Sequence, residues 1–509
     1  MWVDGAARVA CVTAVRRVAG RSVTTVEGLR PDLKDRWVGA FVAAGASQCG
    51  FCTPGILLRL AALEQSSRPL THQAVESALL AHLCRCTGWQ SIVEAGCAAL
   101  GISNPDSPDP DYAAPPADPL LASWRAQIEG RMPQSTGADI VLGGGGFADD
   151  RAPEGALVQL GAAAESPQRS LVAARVGATK VQGRNSTVAL VHPVGVPDGE
   201  WALTLQTAWV EPAYVEPDAS WSLPGAPPAP PLANGGAFGG KRRSTAPSRA
   251  HELAAQFQQP VRVLWSREDV VRHGPKRPPI SVGLRPDGSG VMRIGRTPGS
   301  PDLGQLHGLV HAIAPGVVTE EVDIVGPPIS AELRGAGWVE VLAALHGLGT
   351  LGERREGTGR AEVRLPGGGR AAVTVETLGG AHGRGTVTAE IWAGEILHQA
   401  TLRSYVIGAV HQALGLVWSE GIAVDAVGAP LDLTIRSFGI LTAREMPQVE
   451  VVLHPEDRWP VNGSDAVFAA TVAAAWQAEG TPPTWPTRRG GTGQRARSAV
   501  PSGHREESA

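Results

Sequence analysis

Gln48-Cys-Gly-Phe-Cys52 and Cys84-Arg-Cys-Thr-Gly-Trp89 are the two stretches on which the reading of this chain turns. They hold four of its six cysteines, in the spacing C-x2-C-x31-C-x-C. Four thiolates drawn together are a donor set for an iron–sulfur cluster or a zinc ion. Structural zinc sites usually join two C-x2-4-C knuckles on hairpins. Here the second pair is C-x-C and both pairs run into helical sequence. That favours a cluster and leaves zinc open. Four buried thiols without a ligand are the bland alternative, and their clustering speaks against it.

The surrounding sequence reads as helix from about residue 35 to 100. Trp37–Ala46 is apolar and rich in small residues, as in a buried helix. Thr53-Pro54 reads as an N-cap and first helical position, leading a helix over Ile56–Gln65. Thr71 caps a third helix with Val75, Leu79 and Leu83 on one face. Thr87 reads as the cap of a fourth, Gln90–Leu100. Both cysteine pairs thus precede helix N-termini, where dipoles and free N–H groups favour an anionic cluster.

Outward from this unit, 509 residues exceed one ordinary core, so several domains are expected. A hydrophobic content of 43% and a charged content of 18% suit a globular protein. The net charge of −4 gives no electrostatic case for nucleic acid or an anionic membrane. The best candidate span, Tyr405–Trp418, is short and contains His411 and Gln412. The N-terminus shows no basic and apolar leader pattern. Clustered cysteines fit a cofactor in a reducing compartment rather than a disulfide framework, so a cytoplasmic location is expected.

Residues 104–130 read as a linker, opening with Asn104-Pro-Asp-Ser-Pro-Asp-Pro-Asp111. Alternating strands are expected beyond it, at 156–160, 187–192, 203–210, 261–265, 280–284, 371–377, 386–392, 431–436 and 449–453. Helices are expected at 248–258, 402–416 and 464–479, the last with Ser464 as cap and Asp465 in its first turn. The fold class is therefore multi-domain α+β: a four-helix metal-binding unit followed by a mixed α+β region. A disordered tail is expected over 481–509.

Gln48–Leu57 and Leu83–Glu94 resemble the helical [2Fe-2S] domain of the xanthine dehydrogenase/aldehyde oxidase family. The resemblance implies a [2Fe-2S] cluster on Cys49, Cys52, Cys84 and Cys86, with Gln48 against a molybdopterin. It divides the chain into a remnant of a plant-type ferredoxin domain (1–30), the helical cluster domain (31–103) and the linker. A hammerhead-like segment (131–200) and a shortened molybdopterin-binding-like domain (201–480) follow. Cys11 matches the last ligand of a second cluster, whose other ligands this sequence lacks. Asn234-Gly-Gly-Ala-Phe-Gly-Gly-Lys241 nearly matches a phosphate-binding loop. Arg242 stands where that loop needs Ser or Thr, and the proline run before it is no buried strand. The stretch is more similar to the family's glycine loop, which implies cofactor contacts at Gly236, Phe238, Gly239 and Gly240. Gly145–Asp150 with Gly155–Leu157, Glu211–Asp218 and Pro260–Asp269 resemble other segments of that region. Leu333–Gly337 and His411–Gly415 suggest cofactor-side roles for Arg334 and Gln412.

The family's catalytic Glu falls on Ala469 here, and its lysine position on Asp465. No catalytic residue is therefore assigned, and no FAD domain is recognised. The reading is an iron–sulfur oxidoreductase of xanthine dehydrogenase type, passing electrons from a molybdenum centre acting on an aldehyde or N-heterocycle. The resemblance implies a homo-oligomer and an FAD or ferredoxin-type partner subunit. The alternative is a non-catalytic electron-transfer or assembly subunit, or a degenerate fragment.

Overall fold

A computed structural model of the chain describes residues 1–66, 69–103, 118–177, 189–232, 236–349, 357–377 and 384–488. The first residues form a small antiparallel sheet of two-residue strands, turning at Asp4-Gly5, where both residues have positive φ. Four helices follow: α1 (Pro31–Ala43), α2 (Thr53–Ala61), α3 (His72–Ala78) and α4 (Gln90–Ala99). α1 begins earlier than its apolar run suggests, because Pro31 sits in its first turn. Thr71 caps α3, its hydroxyl accepting from Ala74 N. The other two expected caps differ. Cys52 holds the N-cap position of α2, and Thr53 is already helical. The N-cap of α4 is Trp89, and Thr87 makes other bonds.

Of the expected linker, residues 104–117 lie outside the described residues. Residues 119–130 instead form a helix, α5 (Pro119–Gly130), capped by Asp118 and started by Pro119. The downstream region is mixed α+β. One sheet pairs Val317–Asp323, Gly290–Arg296, Ile280–Leu284, Leu203–Thr207 and Thr484–Trp485 in that order. The last strand corrects the expected tail: residues 484–485 are ordered, and only 489–509 lie outside the described residues. A four-stranded sheet runs Thr358–Arg364, Arg370–Glu376, Thr386–Trp392, Gln448–His454. A smaller sheet places Val261–Leu264 between Leu157–Leu160 and Ala219–Ser222.

Two expected strands are absent among the described residues. Leu431–Arg436 is irregular and ends in a 3-10 turn, its alternation spent on a loop where Asp432 accepts from Ala423 N. Of 187–192, residues 189–192 are irregular and the first two lie outside the described residues.

Two buried helices bind the regions together. Ser464–Ala478 is built largely of alanine and is buried along its whole length. It lies so close to the four-stranded sheet that a side chain on Gly359 would sit 1.9 Å from the Ala474 carbonyl. Gln399–Trp418, the long helix, packs on it and on the cluster unit, and it is buried on nearly every face. Leu60, Trp89, Val406 and Trp476 all belong to one continuous hydrophobic core. Among the described residues no helix is long and apolar enough to cross a membrane.

Candidate metal centre

The loop after α1 turns through Gly45 and Gly50, both with positive φ, and delivers Cys49 and Cys52 to the start of α2. The segment after α3 delivers Cys84 and Cys86. Gly88 (φ 67°) and Trp89 (φ 74°) then reverse the chain into α4. A left-handed tryptophan is strained by about 1–3 kcal/mol. Burial holds it, together with a bond from its indole Nε1 to the Leu441 carbonyl at 3.0 Å.

The four expected ligands come together in one group. Cys49 and Cys86 have their sulfurs 3.5 Å apart, and Cys84 neighbours both Cys52 and Cys86. Cys49, Cys84 and Cys86 are buried, whereas Cys52 is only partly so. Among the described residues no three Cys, His, Asp or Glu side chains converge on one ion position. Two thiols to each of two positions is the demand of a dinuclear cluster, and a lone zinc needs all four at one point. Without metal the thiols share protons. Hydrogen bonds from Cys52, Cys86 and Thr87 hold Cys84 well below the usual thiol range. Contact with Cys84 and burial push Cys52 well above it, and contact with Cys49 and Cys84, with burial, does the same to Cys86. Cys97 stands apart, and Cys11 is exposed. Burial, with Glu76 and Glu94 nearby, pushes Cys97 up to about 12.

The downstream region closes directly over these thiols. A side chain on Gly236 (φ 84°) would lie 2.9 Å from Cys49 Cβ and 3.2 Å from Cys86 Sγ. One on Gly408 would meet the Cys86 carbonyl at 1.9 Å, and one on Gly88 the Ile407 carbonyl at 2.5 Å. Gln48 donates to the Ser404 hydroxyl and carbonyl on the long helix.

Phe238, Arg334 and Gln412 gather at one cavity, with Arg85, Glu420 and Phe468. Arg334 Nε donates to Asp465 and Nη1 to Gln412 Oε1, and its guanidinium lies over the rings of Phe238 and Phe468. Asp465, read as a first-turn acid, is also paired with Arg131. Gln412 Nε2 donates to the Arg85 carbonyl. Gly239 faces the Glu332 carbonyl, Gly240 faces the Tyr214 ring, and Lys241 is paired with Glu216. Ala469 is fully buried in its helix. This cavity by itself is too small to seat a molybdopterin. The cavity is about 40 Å³, room for roughly three waters. The Arg85–Glu420 ion pair lines it, as does Arg334, which is held by Asp465.

Arg85–Glu420 was not foreseen from sequence, nor were the buried pairs Arg277–Glu340 and Lys276–Glu211. Their partners lie tens to hundreds of residues apart, so no local pattern signals them.

The [2Fe-2S] binding domain family matches residues 25–97. The chain is 38% identical over 95 residues to a probable xanthine dehydrogenase subunit of Bacillus subtilis, covering 19% of this chain and 55% of that one. It is 43% identical over 93 residues to the nicotine 6-hydroxylase small subunit of Paenarthrobacter nicotinovorans, covering 18% and 56%. It thus spans little more than half the length of these two curated relatives. Aldehyde oxidoreductase of Megalodesulfovibrio gigas is 30% identical over 199 residues, 38% of this chain and 20% of that one. In fold, the chain is similar to the solved aldehyde oxidoreductase from Desulfovibrio gigas. The TM-score is 0.64 at 14% identity, covering 96% of this chain and 94% of that one. Residues 25–97 thus belong to the [2Fe-2S] binding domain family, and the chain as a whole has the fold of the solved aldehyde oxidoreductases.

Proposed function

We propose that Cys49, Cys52, Cys84 and Cys86 hold a [2Fe-2S] cluster and that the chain is an electron-transfer component of a xanthine dehydrogenase-type oxidoreductase. The observation that carries this is the convergence of the four thiols, three of them buried, where the two cysteine segments meet. When bound, the cluster supplies one-electron transfer. The chain's residues seat and insulate it. Three ligands are buried and the long helix covers one side. Cys52 and the exposed Phe51 leave the other side open to an electron partner. Two relatives are named as subunits, which supports a partner supplying the remaining chemistry. A molybdenum centre within this chain is the weaker reading, because the cavity is small and Ala469 offers no base.

Metal analysis with a visible spectrum on anaerobically purified protein tests the proposal. Two irons per chain and a band bleached by dithionite are expected, with molybdenum well below stoichiometric. Zinc at one per chain, or a folded chain with no iron, overturns it. Stoichiometric molybdenum restores the enzymatic reading with its aldehyde or N-heterocycle substrate.

A further inference from the structure

Thr87 stands in the sequence where a helix cap is expected, yet its hydroxyl does not cap α4. Its Oγ1 lies 3.1 Å from Cys84 Sγ in a buried setting. The same oxygen accepts from Trp89 N at 3.4 Å. A cysteine thiolate can only accept, and the backbone N–H already engages a lone pair of the hydroxyl. The hydroxyl proton is therefore left pointing at the sulfur. The left-handed turn at Gly88-Trp89 holds this geometry, because it brings the Trp89 N–H back over Thr87.

The thiols differ in what surrounds them. Cys84 receives Thr87, and its neighbour Cys52 sits at the N-cap of α2 and is the least buried of the four. Cys49 and Cys86 lie against Gly236 and the long helix, buried. Hydrogen bonds to the sulfurs and solvent exposure both set cluster potential, because each stabilises the more negative reduced state.

Resting on the cluster reading above, we infer that Thr87 is a tuning residue: its O–H···Sγ bond to Cys84 raises the cluster's reduction potential, acting through the iron that Cys84 would hold. The step is a one-electron reduction. One external donor electron converts a pair of ferric ions into one ferric and one ferrous ion, with no proton taken up and no bond broken. The hydroxyl contributes only a dipole and a proton shared with the sulfur.

The test is redox titration of the full chain, monitored by the visible band and by EPR of the dithionite-reduced state. Thr87→Val keeps the shape and removes the donor, and Thr87→Ser keeps the donor. Thr87→Val is expected to lower the midpoint potential and shift the EPR g-values at unchanged iron content, while Thr87→Ser stays near the parent. A Thr87→Val protein with two irons and an unmoved midpoint overturns the inference, as does a Thr87→Ser midpoint as low as that of Thr87→Val. If Thr87→Val fails to take up iron, resonance Raman of the parent after brief exposure to D2O decides instead. A terminal Fe–S stretch that shifts on the timescale of hydroxyl exchange, and does so ahead of the slower buried amides, is expected. A stretch that does not move overturns the assignment. A parent protein without iron defeats the cluster reading itself, so the two failures are separable.

Discussion

Glu420→Ala should uncouple the cluster unit from the rest of the chain. Arg85 lies between two ligands, Cys84 and Cys86, and its guanidinium meets Glu420 in a two-pronged pair, one arm at 2.7 Å. The side chains are 7% and 2% exposed. Removing one partner of such a pair leaves an uncompensated buried charge, at a cost of about 3–5 kcal/mol. Arg85 Nε keeps its bond to the Pro212 carbonyl, so the loss should fall near the lower end, about 3 kcal/mol. Denaturant unfolding, followed by both tryptophan fluorescence and the visible band, measures it. The apolar double variant Arg85→Met/Glu420→Leu should be more stable than either Glu420→Ala or Arg85→Met alone, because neither charge is then stranded. Should Glu420→Ala cost under about 1 kcal/mol, or should the double variant be the least stable, the pair is not the anchor described here.

Gly236→Ala should lower iron content with the far-UV spectrum intact, since its methyl would enter contact with Cys49 and Cys86. Gly155→Ala (φ 75°, open space around it) is the control that carries only the backbone strain, and equal iron loss in both would refute the contact argument. Lys276→Met should destabilise by about 3–5 kcal/mol, because Lys276 and Glu211 are both fully buried, and a neutral outcome in denaturant unfolding would show that Glu211 finds another partner. Iodoacetamide at pH 8 should label exposed Cys11 and spare Cys97 in the native chain, as peptide mass mapping will read. The raised Cys97 value also fixes a sign. Between the unfolded value of 9.0 and about 12, the folded state keeps a proton that the unfolded state loses. Cys97 therefore makes stability fall as pH rises through that window, and Cys97→Ala should flatten the decline.

The gathering of the four cysteines was legible because their spacing and flanking helices are local. So was Thr386–Trp392, whose alternation matches its half-buried sheet, while Ile280–Leu284 is buried on both faces. Thr87 misled because a threonine a few residues before a helix usually caps it, and only the bond to Cys84 reveals another use. The strand pattern at Leu431–Arg436 failed for want of a neighbouring strand to pair with, and periodicity carries no information about that. Of the glycine-loop residues, Phe238 lines the cavity with Arg334 and Gln412, whereas Gly236 lies against Cys49 and Cys86. Sequence could not show that ion pairs made across hundreds of residues would line that cavity.

The packing of the long helix against the cysteine segments has a consequence for how the chain matures. Glycines at 88 and 408 let backbone lie on backbone at that seam, and Gly236 lies on the Cys49 and Cys86 side chains, so access remains only from the Cys52 side. Iron and sulfide must then be delivered to the nascent helical unit first, and the downstream chain fastens over it as a lid that is shut once. Reconstitution should accordingly be fast when iron and sulfide are present during refolding, and slow when they are added to refolded apoprotein. Equal rates in the two orders of addition would mean that the seam opens freely.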